Sequence, residues 1–344
     1  MENTSTSYSD DNATREARRE ESLTCGLLKK ERHKSGSGKV VKSSRLSTGK
    51  EGLIIAHHGV AVEVLSSDGL SSMVRVKRRS GHVVGDRVRI SNEVLDRLPR
   101  KTELRRRDAR GGIHLVGANL DMLGIVVAPL PVPPPGFMDR AIVAARAADL
   151  LPFVVVNKCD LAGSAELVTS LASAYAGMIP VFPLSAVAGY GLDPVRNFLQ
   201  GNRGAFVGIT GVGKSSLLNA LCPGIGLKVG EIGDVTNRGR HTTTVSTLHS
   251  LAGGGELIDT PGFQDFGLVD ISAEELAAYF PGFEKANEGA CRFRDCRHRT
   301  EPGCAVVDLV ARRLVSTLRY ETYLAMLLEV EAGEAEARQK EWKN

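Results

Sequence analysis

The chain has no run of about 18 or more apolar residues and no charged start leading into an apolar stretch, so it offers neither a membrane-spanning helix nor a conventional export leader. A cytoplasmic protein with no membrane partner is the expectation. It also has no internal repeat, which excludes architectures built by repetition. Between residues 49 and 110 there is no Phe, Trp or Tyr. Met73 and the His57–His58 pair are among the few soft or flat side chains this stretch offers to nucleic-acid bases, which favours phosphate and shape contacts over stacking.

What is present is ample for a folded core. Of 344 residues, 42% are apolar and 24% charged, enough for two or three globular domains. The net charge of +4 hides an asymmetry: residues 1–110 hold 24 Lys and Arg against 15 Asp and Glu, and the remainder holds 20 against 25. The front third therefore suits a polyanionic partner, although a solvated charged surface explains the composition equally well. Cys25, Cys159 and Cys222 are scattered, whereas Cys291, Cys296 and Cys304 cluster around His298. Clustered thiols beside a histidine point to metal rather than disulfides.

Texture divides the chain into four. Residues 1–48 are polar, contain "KSGSGK" and lack apolar periodicity, as in a disordered arm. Residues 49–110 carry short β-like runs, "GLIIAHHGVAVEVL", "SSMVRVKRR" and "DRVRI", broken by turn residues. That spacing predicts a small barrel, with the basic run "RLPRKTELRRRDAR" after it. Residues 111–270 alternate apolar strands ("MLGIVVAPL", "PFVVVNK", "GAFVGIT") with amphipathic helices, the pattern of a doubly wound, mostly parallel sheet. Residues 271–344 read as helical around the cysteine cluster.

"GITGVGKSS" at 208–216 fits G-x-x-x-x-G-K-S between a strand and a helix, the context a phosphate loop needs. Gly208, Ile209, Thr210, Gly211, Val212 and Gly213 supply a backbone cradle; Lys214 reaches the outer phosphates, the Ser215 hydroxyl ligates magnesium, and Ser216 closes the motif. "NKCD" at 157–160 identifies the base. The Asp160 carboxylate accepts from N1–H and N2–H2 of guanine, a donor pair adenine lacks, while Asn157, Lys158 and Cys159 complete the element. Ser185 and Ala186, ending the next strand, are expected to set backbone amides near the guanine carbonyl. GTP is thus favoured over ATP.

In "LIDTPG", Asp259 holds magnesium through water and the Gly262 amide senses the γ-phosphate. Between these elements lies "GRHTTT", in which Thr243 is the chosen magnesium ligand among three threonines and the loop is a switch. The elements run NKxD, SA, phosphate loop, switch threonines, DTPG: a circular permutation of the GTPase order. The position after the DTPG glycine is Phe263 rather than a water-orienting Gln. His241 is the candidate to orient the water, its alternative reading being an ordinary loop histidine. Basal turnover is expected to be slow, on the order of 10⁻⁴ s⁻¹ or somewhat above, until a partner completes the site.

Cys291-x4-Cys296-x-His298-x5-Cys304 offers three sulfurs and one nitrogen, which fill a tetrahedral zinc site of structural type. Arg292, Arg294, Arg297 and Arg299 stud the same loop and would offer cations to a phosphate backbone.

From about Gly52 to Glu331, through "GDRV", "MDRAIVAA", "NKCDL", "GVGKSSLLNAL", "RHTTT", "DTPGF" and the Cys-Cys-His-Cys spacing, the chain resembles the RsgA (YjeQ) family of circularly permuted GTPases. The resemblance implies a multidomain α/β protein: an amino-terminal OB-fold β-barrel, a circularly permuted P-loop GTPase domain and a carboxy-terminal helical zinc-binding domain. It implies ribosome-stimulated GTP hydrolysis in late maturation of the small (30S) subunit, with rRNA as a main contact and the protein a monomer off the ribosome. His241 matches the family's proposed catalytic histidine. The arm over 1–48 is longer and more acidic than the short basic tail expected of the family. A competing reading is an RNA-binding assembly module in which nucleotide gates affinity and hydrolysis is incidental. An ATP-dependent enzyme is a weaker third, opposed by Asp160.

Overall fold

The computed structural model describes residues 49–77, 79–91, 94–107, 112–222, 224–225, 227, 245–259, 268–284, 286 and 291–342. The arm over 1–48, the loop bearing His241 and Thr243, and Gly262 lie outside the described residues.

The middle of the chain is laid down by strands whose every residue is apolar or small. β8 (Met122–Val127) is buried along its whole length, and β9 (Leu151–Val156) is buried after its first residue. Such strands are stable only when helices cover both faces. With β10 (Val181–Pro183), β11 (Arg203–Val207) and β13 (Glu256–Asp259) they form the parallel order β10-β9-β8-β11-β13. Leu123, Ile125, Val127, Val154 and Val156 meet helix α1 (Phe137–Ala147) through Phe137, Ala141, Ile142 and Ala145, with Leu167 and Leu171 of α2 (Ser164–Ala174) beside them. The alternate residues Met122, Val126, Phe153, Val155 and Phe206 meet α3 (Leu192–Leu199) and α4 (Lys214–Leu221). Gly124 on that second face is a close approach: a Cβ there would lie 2.5 Å from Phe206 Cδ1 and 2.7 Å from Phe153 Cζ.

The sheet does not stop at β13. Antiparallel β12 (Ser246–Ser250) follows, and its outer edge pairs with β1 (Lys50–His57) through Ala56–Thr247 and His57–Ser246. β1 in turn carries β2 (Ala61–Ser66) and β3 (Ser71–Arg75) on one side and β4 (Arg87–Ser91), then β5 (Val94–Arg97), on the other. Eleven strands are thereby continuous, and all described residues fall in one compact unit. Ile54, Val62, Val64, Val74 and Val88 form the small core of the amino-terminal strands.

The basic run after these strands is not a linker. β6 (Glu103–Arg107) and β7 (Ile113–Ala118) form a separate hairpin whose Leu104 is buried against Val84 and Leu120. A buried ion pair ties the hairpin to the amino-terminal strands. Asp86, with no exposure, accepts from Arg100 Nε at 2.6 Å and Nη2 at 2.8 Å, while Arg100 also donates to Glu103 and to the Gly81 carbonyl. Asp86→Asn would leave the buried guanidinium with only the partly exposed Glu103 as counter-charge, so a loss of about 3 kcal/mol, the lower end for a broken buried pair, is expected. The urea midpoint at unchanged slope measures it, and a loss of well under ~1 kcal/mol would show that the pair does not hold this joint.

The carboxy-terminal residues form α5 (Leu276–Tyr279), α6 (Ala305–Ala311) and α7 (Thr317–Trp342) around an aromatic core. Phe280, Phe283 and Tyr323 sit with ring centroids 4.7–5.3 Å apart. Val143 of α1 joins this core from the sheet side. Arg319 of α7 stacks on Tyr175 at 4.5 Å and faces Asp139 of α1, which also accepts from the Tyr175 hydroxyl. Burial pushes the Asp139 carboxyl up, and Arg319 and Tyr175 oppose that shift. Among the described residues no helix is long and apolar enough to cross a membrane.

Candidate functional site

The sequence motifs separated by up to about sixty residues meet where β8, β9, β10 and β11 end, outside their carboxyl termini, as ligand sites do in open α/β sheets. One side chain joins three of them. Asn157 is 2% exposed; its Nδ2 donates to the Val212 carbonyl at 2.9 Å, and its Oδ1 accepts from the Ala186 amide at 3.1 Å. It therefore clamps the phosphate loop, the NKxD turn and the SA turn in one hydrogen-bonded knot. Gly213 takes φ 93°, and a Cβ there would lie 2.4 Å from Asn157 Nδ2, so both conformation and space require glycine.

Lys214 opens α4 and folds back over the loop, donating to the Gly208 carbonyl at 2.7 Å and that of Ile209 at 3.1 Å. Its ammonium thus spans the curve formed by Gly208, Ile209, Thr210, Gly211 and Val212. Burial lowers the Lys214 pKa, and the Asp259 carboxylate opposes this. Ser215 and Ser216 lie in the first turn of α4, where amides point toward the loop and favour anions.

The base-side residues are equally tied. Asp160 Oδ1 accepts from the fully buried Ser185 hydroxyl at 2.5 Å, and that same oxygen of Ser185 accepts from the Ala188 amide. Lys158, in the left-handed region at φ 60°, donates from Nζ to the Leu130 carbonyl at 2.9 Å, which anchors its aliphatic stem. The Cys159 thiol donates to the Val156 carbonyl, and burial pushes its pKa up, which keeps it protonated and unreactive. The Ser185 amide donates to the Tyr190 carbonyl and the Ala186 amide to Asn157, so both are already engaged within the protein. What the turn contributes is the fixing of Asp160 and Asn157.

Asp259 ends β13, electrostatically coupled to Lys214. Burial raises its carboxyl pKa, and His249 and Lys214 pull it back down. No described protein donor hydrogen-bonds this carboxylate, and Ser215 stands on the adjoining helix, a donor set of hard oxygens that fits magnesium. His249 and its neighbour Thr247 are the residues that sequence reasoning missed. Alternation in "STLHS" puts them on one face of a strand, but only the register with β13 shows that the face is the one bearing Asp259.

A second constellation lies in the carboxy-terminal helical region. The ligand atoms of Cys291, Cys296, His298 and Cys304 are all within 4.8 Å of one another. His298 Nδ1 is 3.6 Å from Cys291 Sγ, 3.6 Å from Cys296 Sγ and 3.4 Å from Cys304 Sγ. A tetrahedron with arms of ~2.3 Å to sulfur and ~2.0 Å to nitrogen has S···N edges of about 3.5 Å, so the four residues fit a zinc ion. Burial raises the Cys296 thiol to about 12 and moves Cys304 in the same direction, a state that a bound cation would reverse. The supporting frame is built in: Glu301 accepts from the amides of Arg297, Arg299 and Thr300, and Tyr320 and Tyr323 donate to the carbonyls of His298 and Arg297. Of the loop arginines, Arg297 pairs with Glu274 and Arg299 with Glu331, while Arg292 lies over the half-exposed Phe293.

Comparison with known proteins agrees with this geometry. The family model described as RsgA GTPase matches residues 97–269. The protein named Small ribosomal subunit biogenesis GTPase RsgA from Pseudomonas aeruginosa PAO1 is 39% identical over 306 residues, 86% of this chain and 90% of that protein. Its namesake from Pseudomonas fluorescens SBW25 is 39% identical over 312 residues, with the same shares covered. The crystal structure of YjeQ from Thermotoga maritima superposes with a TM-score of 0.67 at 32% identity, covering 82% of this chain and 98% of that one. YloQ, described as a circularly permuted GTPase, gives 0.63 at 26% identity over 83% and 96%. The motif order, the shared fold and the identity over most of the chain place this protein in the RsgA GTPase family, as an enzyme that hydrolyses GTP.

Proposed function

We propose that the protein is a GTPase switched on by the small ribosomal subunit and that it acts in late maturation of that subunit by binding rRNA. The observation that carries the reading is the naming of relatives at 39% identity over most of the chain as small ribosomal subunit biogenesis GTPases. The continuity of the sheet supports it: β12, which follows the switch threonines, is hydrogen-bonded to β1 of the basic amino-terminal strands. Among the described residues Arg75, Lys77 and Arg79 form no ion pair, which leaves their charge for phosphates.

In this reading residues 49–110 are an OB-fold barrel that meets RNA, 111–270 the permuted GTPase domain and 271–344 a helical domain closed by one zinc on Cys291, Cys296, His298 and Cys304. Asp160 reads guanine, Asn157, Lys158, Cys159, Ser185 and Ala186 shape its pocket, and the 208–216 loop takes the phosphates. Ser215, Thr243 and Asp259 hold magnesium, which neutralises phosphate charge when bound. Gly262 senses the γ-phosphate and His241 orients the attacking water. Off the ribosome the protein is a cytoplasmic monomer.

The test is steady-state GTP turnover at a stated salt concentration, alone and with isolated small subunits, large subunits and whole ribosomes, with Lys214→Ala as the blank. Stimulation of roughly tenfold or more by the small subunit is expected, because a partner that completes the site removes the slow step. A flat response to all three particles would sink the proposal and advance the reading in which nucleotide only gates RNA affinity.

A further inference from the structure

We propose that His249, acting through Thr247, is a positioning residue for Asp259, an inference that rests on the assignment of Asp259 to magnesium. The antiparallel register sets Thr247 opposite Asp259 and His249 opposite Leu257. Residues directly opposite share a face, and so do residues two apart, so these four side chains stand on one side of the sheet. Leu257 identifies the side: it packs with Leu217, Leu218 and Leu221 of α4, the helix that begins with Lys214 and Ser215. On that face Thr247 Oγ1 and His249 Nε2 are 2.8 Å apart.

This hydrogen bond fixes the rotamer of the side chain directly opposite Asp259 in the ladder. Opposite pairs in such a ladder hold their Cβ atoms ~4.5–5.5 Å apart, and the diagonal neighbour, here His249, is ~7–8 Å away. Thr247 cannot slide aside, because its strand is held on the other flank by the Ala56–Thr247 pairing with β1. Asp259 has no described hydrogen-bond donor of its own, so the Thr247–His249 pair is the wall that sets how its carboxylate lies. A carboxylate that holds a cation through water depends on that orientation, and outer-shell partners of this kind are worth about 10–100-fold in metal affinity. His249 thereby adds a third layer behind the magnesium: imidazole, hydroxyl, carboxylate.

The experiment uses the full-length protein and follows release of a fluorescent GDP analogue against free Mg²⁺, with the GDP affinity in EDTA measured alongside. Neither readout involves hydrolysis. His249→Leu and Thr247→Val are each expected to raise the half-saturating Mg²⁺ by ~10-fold or more and to leave the magnesium-free affinity within about twofold. His249→Gln, whose amide reaches the Thr247 hydroxyl from the position of Nε2, should restore most of the loss. An unchanged Mg²⁺ curve in His249→Leu and Thr247→Val overturns the inference, and so does an equal loss of GDP affinity in EDTA, which marks a packing role only. Asp259→Asn separates the two levels. If it shifts the Mg²⁺ curve while the His249 and Thr247 variants do not, the inference alone falls; if it does not shift the curve, the magnesium assignment falls and takes the inference with it.

Discussion

Asp160→Asn is expected to convert the enzyme from guanosine to xanthosine nucleotides. In the proposed base site the Asp160 carboxylate is an acceptor on both oxygens, which would match the paired N1–H and N2–H2 donors of guanine. Xanthine keeps N1–H but carries a carbonyl oxygen where guanine has its amino group, so two acceptors face each other there and xanthosine triphosphate is rejected. An asparagine offers one acceptor and one donor, which is the complement of xanthine. Which way the amide lies is decided by Ser185: its hydroxyl donates to Asp160 Oδ1 at 2.5 Å and is itself locked by the Ala188 amide. That donor favours the amide oxygen of the variant at the Oδ1 position and leaves the NH2 at the position of the other oxygen.

The magnitude follows from lost and misplaced hydrogen bonds. Two bonds to a charged acceptor are worth ~1.5–3 kcal/mol each, and the variant also sets the guanine amino group against an NH2 donor. A swing of about 10⁴ or more in the preference between the two nucleotides is expected, the range in which a buried polar site rejects a mispaired analogue. Competition binding of the two diphosphates to wild type and variant measures it, so the result does not depend on a slow turnover. A parallel loss of both nucleotides would mean that Asp160 supports the Asn157 knot rather than reading the base. Asn157 itself is separable: it bonds to Val212 and Ala186, not to Asp160.

The phosphate loop and the NKxD turn were legible in the sequence because each is local. A glycine-rich run between a strand and a helix, or a polar tetrad at a strand end, keeps its meaning without knowledge of its neighbours. The strands with continuous apolar residues were legible for the same reason: burial on both faces leaves "LGIVV" and "FVVV" little alternative. The β6–β7 hairpin was hidden, because "ELRRR" has a single apolar residue. Arg105 pairs with Asp270 across 165 residues, and the place of the hairpin is fixed by Leu104 in a core built elsewhere. The addition of β1 to β12 was equally hidden, since two edge strands of ordinary composition carry no mark of which edge they join. His249 was missed on the same ground. Its role depends on cross-strand register, and no motif in "STLHS" announces the carboxylate opposite.

Removal of the proposed zinc is expected to unfold the carboxy-terminal helical region while leaving the nucleotide site standing. The four ligands come from a stretch of fourteen residues, 291–304, in which no helix or strand is present to hold them. Structural zinc supplies ~10–16 kcal/mol of apparent binding free energy in small folds, as much as the ~5–15 kcal/mol by which a whole domain is stable. Without it three thiols and an imidazole crowd together, and the loop is left with backbone bonds to Glu301, Tyr320 and Tyr323 and the exposed ion pairs of Arg297 and Arg299. His298 is in ring contact with Phe283 and Tyr323, so slackening of the loop reaches the aromatic core directly. The nucleotide site draws on the two other cores, around α1 and α2 on one face and α3 and α4 on the other. The helical region meets α1 through Val143, Asp139–Arg319, Arg140–Glu329 and Arg146–Glu284, and the end of α2 through Arg319 and the Ala174 carbonyl, rather than through the 208–216 loop or the NKxD turn. The expected result of chelation at neutral pH is release of one zinc per chain, loss of helical signal from α6 and α7, and new protease sensitivity within 291–304. GDP affinity should hold within about threefold, as for sites that share few partners. Cys304→Ser should reproduce the unfolding without chelator, because it removes a buried ligand that also starts α6. A chelated protein that keeps its full helical signal would show that Phe280, Phe283 and Tyr323 suffice as a core, and that the metal serves the loop surface alone.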